Sequence, residues 1–170
     1  LGVLFGLALG HLFDRGVVRN WVDCDILHVM LHGASRRSIR HARKRGAFVI
    51  GEPVNSHPEY VQQLMREEHE RLDIPLATVK GLNRGQAQTV EEAACCNEIL
   101  APSRFVADSY IAHGLSPEKV RVLPWGTDTT RFQPAPRNPD GVFRVICVAQ
   151  ISPRKGHIDL LDAWRLLNLP

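Results

Sequence analysis

Apolar positions along the chain fall into short continuous runs separated by polar, helix-length stretches. The opening stretch, LGVLFGLALGHLF, is apolar or glycine from Leu1 to Phe13 apart from His11, and Asp14 and Arg15 then close it. That is well short of the ~18 residues a membrane span requires. Gly2, Gly6 and Gly10 recur every fourth residue, which on a helix makes one smooth face for close packing. The segment therefore predicts a buried helix of a sheet domain. A signal-peptide core is not the reading, because no basic start and no cleavage site accompany it.

Next come an apolar run at Asp25–Leu31, a polar helix at Ser35–Arg45 and a second run at Ala47–Ile50. Such runs predict parallel strands covered on both faces, hence an α/β layer protein. Pro58–Leu72 reads as a helix with Tyr60, Val61, Leu64 and Met65 on one side. Ala87–Cys96 reads as another, followed by a strand at Asn97–Ala101. Ser103 is placed to cap a helix at Arg104–His113 that Gly114 stops, and Ser116-Pro117-Glu118 repeats the same start signal. Val120–Leu123 reads as a strand and Pro124–Thr130 as its turn-rich exit, with Gly126 supplying a backbone angle and Asp128 a local turn bond.

From Arg131 to Gly141 the chain holds three prolines and one glycine with little apolar content, the composition of a linker. Beyond it, Val142–Ala149 predicts a strand, Gln150–Arg154 a loop and Lys155–Leu167 a helix. One strand and one helix cannot bury a core. The expected organisation is a partial domain over 1–130, a linker at 131–141 and the beginning of a second domain over 142–170. Leu1 at one end and a helical pattern running up to Pro170 at the other predict that both ends are cuts within a longer protein.

Composition narrows the class. With 44% hydrophobic, 23% charged and 6% aromatic residues, 13 Gly and 11 Pro, the chain is globular, neither disordered nor collagen-like. Lys and Arg number 21 against 18 acidic residues, too balanced to indicate a nucleic-acid partner. Six cations crowd residues 36–45, but no aromatic residues are interleaved to stack bases, so they read as a solvated helix face. Cys24, Cys95, Cys96 and Cys147 fit neither a structural zinc spacing nor a disulfide framework. A reducing, cytoplasmic setting is expected, with no structural metal site among the cysteines.

The strongest chemical signal is Ser152-Pro153-Arg154-Lys155-Gly156, placed between predicted strand and helix. In an open parallel sheet, ligands sit beyond the carboxyl ends of strands, where helix N-termini present free N–H groups. Arg154 can fork onto phosphate oxygens, Lys155 adds a compact charge and Gly156 lets backbone approach closely. Asn55-Ser56-His57-Pro58 follows the second apolar run and falls at the same sheet edge. His57 there can hydrogen-bond a ligand or cap the following helix. Glu59 and Glu67, eight residues apart on the predicted Pro58–Leu72 helix, are read as a coincidence of spacing, and His28, His32 and Glu52 are given no role.

The block ILAPSRFVADSYIAHGLSPEKVRVLPWGTDTTRFQPAP, continued by FRVICVAQISPRKGHIDLLDAWRLL, resembles the family-4 glycosyltransferases, retaining enzymes of the two-Rossmann-domain GT-B fold. Residues 24–72, with Asn55-Ser56-His57-Pro58 and Glu67-Glu68, look like one subgroup. The resemblance implies Rossmann-like parallel sheet layers, incomplete at both ends: the end of an acceptor-binding domain and the start of a sugar-nucleotide-binding one. It implies a nucleotide-sugar donor and a saccharide, lipid or other hydroxyl acceptor, with peripheral membrane association admitted alongside and no cofactor. By position, Lys155 and Gly156 match donor-diphosphate contacts. The family's arginine falls on Gln150 and its preceding glycine on Ala149, and Arg154 is read as taking over part of the missing charge. Asn55, Ser56 and His57 are the implied acceptor or sugar contacts. The usual catalytic carboxylates would lie beyond Pro170. The alternative is a non-catalytic sugar-nucleotide or polyanion-binding module, favoured by Gln150 and the cationic helix.

Overall fold

The computed structural model describes residues 2–75, 82–134 and 141–168. Residues 135–140 of the predicted linker lie outside them. The chain divides into two compact units, one of residues 1–63 and 77–125 and one of residues 64–76 and 126–170.

The first unit is mixed α/β, consistent with a Rossmann-like fold. It contains helix α1 (Gly2–Arg19), strand β1 (Ile26–Leu31), helix α2 (Arg36–Lys44), strand β2 (Phe48–Pro53) and the start of helix α3 (Pro58–Arg71). Helix α4 (Leu82–Cys95), strand β3 (Glu98–Ala101), helix α5 (Arg104–Ala112) and strand β4 (Val120–Val122) follow. The four strands form one parallel sheet in the order β1-β2-β3-β4. Parallel neighbours need crossover connections, which α2 supplies between β1 and β2, and α5 between β3 and β4.

Side chains alternate across this sheet. Val29, Leu31, Val49, Ile99 and Ala101 point to one face and pack with Ile39 and Ala42 of α2, Ala93 of α4 and Val106, Ala107 and Tyr110 of α5. The opposite face is only partly covered among the described residues: Ile26, Met30 and Phe48 are exposed, whereas Ile50 and Leu100 are half-buried. The expectation of cover on both faces is corrected here. The polar residues His28, Glu52 and Glu98 stand on that face, which carries a contact of His28 Nε2 with Glu52 (2.9 Å) and the Arg121–Glu98 ion pair (3.7 Å).

Helix α1 is also less buried than its sequence predicts, with Leu9, Leu12 and Phe13 exposed. Of the spaced glycines, Gly10 makes a close approach, since a Cβ there would lie 2.9 Å from that of Ala34, whereas Gly6 faces open space. No described helix is long and apolar enough to cross a membrane.

Ser103 caps α5 as its sequence predicts, accepting the Val106 N–H at 3.2 Å, and Gly114 follows the helix at φ +93°. Ser116 behaves differently. Pro117–Lys119 forms only a 3-10 turn, and the Ser116 hydroxyl donates to the Glu118 carboxylate instead of accepting a backbone N–H. The four cysteines are free thiols. Burial pushes the Cys96 thiol up to about 12, which makes it a core residue rather than a nucleophile.

In the second unit, the Asp128 carboxylate accepts from Thr130 N–H (2.9 Å), Thr130 Oγ1 (2.6 Å) and Arg131 N–H (3.3 Å), the turn bonds its sequence predicts. Gly126 is not among the glycines with positive φ. Val142–Ala149 is not a strand, because no described strand of its unit pairs with it, and Ile146 and Val148 are 80% and 92% exposed. A 3-10 turn at Pro153–Lys155 then leads into helix α6 (His157–Leu167).

Candidate functional site

Gly156 separates that 3-10 turn from α6 in the left-handed conformation, φ +66° and ψ 26°, which side chains other than glycine's rarely adopt. The turn closes through Lys155 N–H to Ser152 C=O (3.0 Å) and Gly156 N–H to Pro153 C=O (3.1 Å), and Leu160 N–H donates to Gly156 C=O (2.9 Å). The first N–H groups of α6 have no carbonyl of their own helix to meet, so they form the positive end of the helix dipole. Arg154 and Lys155 are exposed beside that end, and neither has an ion-pair partner among the described residues. Gln150 is exposed on the approach to the turn.

Sequence reading missed the acid in this turn. Asp159 sits in the first turn of α6 and is held by Arg71 at 2.7 Å, with Arg71 also on Glu68 at 2.6 Å. The hydrogen bond to Glu68 leads in raising the Arg71 pKa, and Asp159 adds to it. An anion approaching α6 therefore meets a carboxylate whose charge is offset only in part, because its guanidinium partner is shared with Glu68. A shallow pocket lies alongside, lined by Leu72, Ile74, Ile151, Pro153, His157 and Ile158. The Nδ1 atom of His157 is buried there without a partner.

In the first unit, His57 is 4% exposed and is the start of α3, its carbonyl accepting Val61 N–H at 3.1 Å. Its Nδ1 accepts Glu59 N–H at 3.3 Å and its own N–H donates to Ser109 Oγ at 2.9 Å. The ring meets Tyr110 edge-on at 5.1 Å and stacks on His113 at 4.2 Å. Burial first, then the neighbouring His113, lowers the pKa of His57, with Glu59 opposing. Of the two sequence readings of His57, the helix cap is thus realised in the structure. Asn55 is exposed and Ser56 half-buried on the loop that this cap holds.

Two buried carboxylates fill the mouth of α2. Glu92 accepts Gly33 N–H at 2.9 Å and Ser35 N–H at 2.6 Å. Asp14 accepts Arg37 N–H (2.8 Å), Ser38 N–H (2.9 Å) and the Ser38 hydroxyl (2.5 Å). Gly33 fits because its φ is +75° and a Cβ would stand 2.4 Å from the Gly85 carbonyl oxygen. The donors that a helix N-terminus could offer a phosphate are, at α2, spent on these internal acids. On the partly covered sheet face, Glu52 accepts from Trp125 Nε1–H at 2.5 Å while in contact with His28. Nothing in local spacing announces these partners.

Among the described residues, one group of His, Cys, Asp or Glu side chains comes close enough to share a metal ion, His57 with Glu59 and His113. Set beside known proteins, the chain matches no protein-family model, and no curated protein is significantly similar to it.

Proposed function

We propose that the chain is part of a glycosyltransferase that moves a sugar from a nucleotide-diphosphate donor to an acceptor hydroxyl with retained configuration. The observation that carries this reading is the turn before α6, where Arg154, Lys155 and the left-handed Gly156 gather beside unpartnered helix N–H groups. The order of motifs from Ile99 to Leu167, similar to that of family-4 enzymes, supports it. In this mechanism the donor diphosphate lies against the turn, and negative charge grows on it as the bond to the sugar breaks. The cations and N–H dipoles gathered at the turn stabilise that charge more than they stabilise the bound donor, which is what accelerates transfer. Arg71, shared between Asp159 and Glu68, offsets part of the repulsion between the α6 carboxylate and the diphosphate. At the edge of the first sheet, Asn55 and Ser56 contact the acceptor or sugar, and His57 is a positioning residue that fixes their loop through its cap.

Calorimetric titration of a nucleoside diphosphate tests the reading. Loss of a charge-assisted contact costs about 1.5–3 kcal/mol, roughly 10- to 150-fold in affinity. Lys155→Ala and Arg154→Ala should each weaken binding within that range, and unchanged affinity in both would remove the turn from the donor site. A panel of nucleotide sugars scored by the diphosphate released then names the donor.

A further inference from the structure

His57, Glu59 and His113 come from three positions that the first unit locks together: the residue opening α3, the first turn of α3 and the residue closing α5. One ligand atom from each lies within 4.8 Å of the others. The tautomers suit coordination. His113 Nδ1 lies 2.7 Å from the Ser109 carbonyl, which can only accept, so that nitrogen carries the proton and Nε2 keeps its lone pair. His57 Nδ1 accepts the long Glu59 N–H bond of 3.3 Å, so its lone pair is on Nδ1 and its proton on Nε2. Neither ring has to move a proton to bind a cation. The Ser109 carbonyl on His113 is the outer-shell partner that orients metal-bound histidines in general.

We infer that His57, Glu59 and His113 bind one divalent transition-metal ion of the zinc class. Two imidazoles and a carboxylate match borderline cations and not magnesium or calcium, which prefer all-oxygen shells. Ligands on Zn–N bonds of about 2.0–2.1 Å stand roughly 3.3 Å apart at tetrahedral angles, so the trio must contract. His57 is the fixed member, buried against Tyr110, while the exposed side chains of Glu59 and His113 turn inward to complete the site. His113 leaves its ring stack on His57 in doing so, and the coordinate bond replaces the weak Glu59 N–H contact. Three protein ligands leave a fourth position for water or a ligand oxygen. The inference does not rest on the proposed transfer reaction, and a metal on His57 would take over from the cap the task of holding the Asn55-Ser56 loop.

The test is titration of Zn²⁺ into the metal-free full chain by calorimetry, with Co²⁺ absorption reporting coordination. Binding of a single ion with a tetrahedral Co²⁺ spectrum is expected. His113→Ala and Glu59→Gln, both at exposed positions, should each lower affinity at least tenfold while circular dichroism stays unchanged. No binding by the parent chain would overturn the proposal, as would binding that both variants leave intact, which would place the ion on other histidines. Diphosphate affinity should not change with either variant.

Discussion

The two units of this chain handle apolar residues in opposite ways. In the first, Val49, Ile99 and Ile39 are wholly buried between the sheet and α2, α4 and α5. In the second, Val142, Phe143, Ile146 and Val148 are exposed although their run is as apolar as any in the chain. Hydrophobic sequence is therefore not sufficient for a strand. A strand exists where a neighbour takes its backbone hydrogen bonds, and the first unit supplies neighbours by β-α-β crossovers. The same contrast holds for polar groups. The first unit ties its buried carboxylates to backbone N–H donors, whereas the second leaves Arg154 and Lys155 exposed and without an ion pair among the described residues.

The largest effect that sharpens this contrast is core truncation. Ile99→Ala should lower unfolding free energy by about 2–5 kcal/mol, and Ile146→Ala by no more than about 0.5 kcal/mol, measured by denaturant titration. Equal losses would break the distinction.

A middle-sized effect belongs to Glu92. Glu92→Gln replaces one acceptor oxygen by an NH₂ group and leaves Gly33 or Ser35 N–H without its partner, at a cost of about 1–3 kcal/mol. Burial outweighs the backbone donors and raises the Glu92 pKa above its ordinary 4.5. The folded protein then holds this proton more tightly than the unfolded chain, so its contribution is fully present below about pH 4.5 and declines as pH rises through the raised value. Stability curves across that window should fall more steeply for the parent chain than for Glu92→Gln, and parallel curves would contradict the assignment.

The smallest contrast compares two serines before helical turns. Ser103 caps α5 through its side chain, so Ser103→Ala should cost about 1 kcal/mol. Ser152 makes no side-chain cap bond, and Ser152→Ala should leave thermal stability unchanged. A loss at Ser152 equal to that at Ser103 would overturn this reading.

Much of the first unit was legible because its signals are local. Continuous apolar runs, capping by Ser103 and the stop at Gly114 each act within a few residues. The extent of β2 was not: its pairing of Leu31 with Pro53 carries the strand past the apolar run that ends at Ile50. The partly covered sheet face had a visible sign in His28, Glu52 and Glu98, which interrupt otherwise apolar strands. Site partners were the least legible. Glu92 meets Gly33 across 59 residues and Arg71 meets Asp159 across 88, and no periodicity encodes such distances. His57 was identifiable as a loop residue before a helix, but its stack on His113 depends on where α5 ends.

Amide chemical-shift mapping during titration of a nucleoside diphosphate tests the functional account most directly. The account predicts shifts concentrated at Lys155, Gly156, His157 and Ile158 and abolished by Lys155→Ala. Shifts absent from that turn and gathered instead around Arg37, Arg40 and Lys44 of α2 would contradict it and favour a polyanion-binding module.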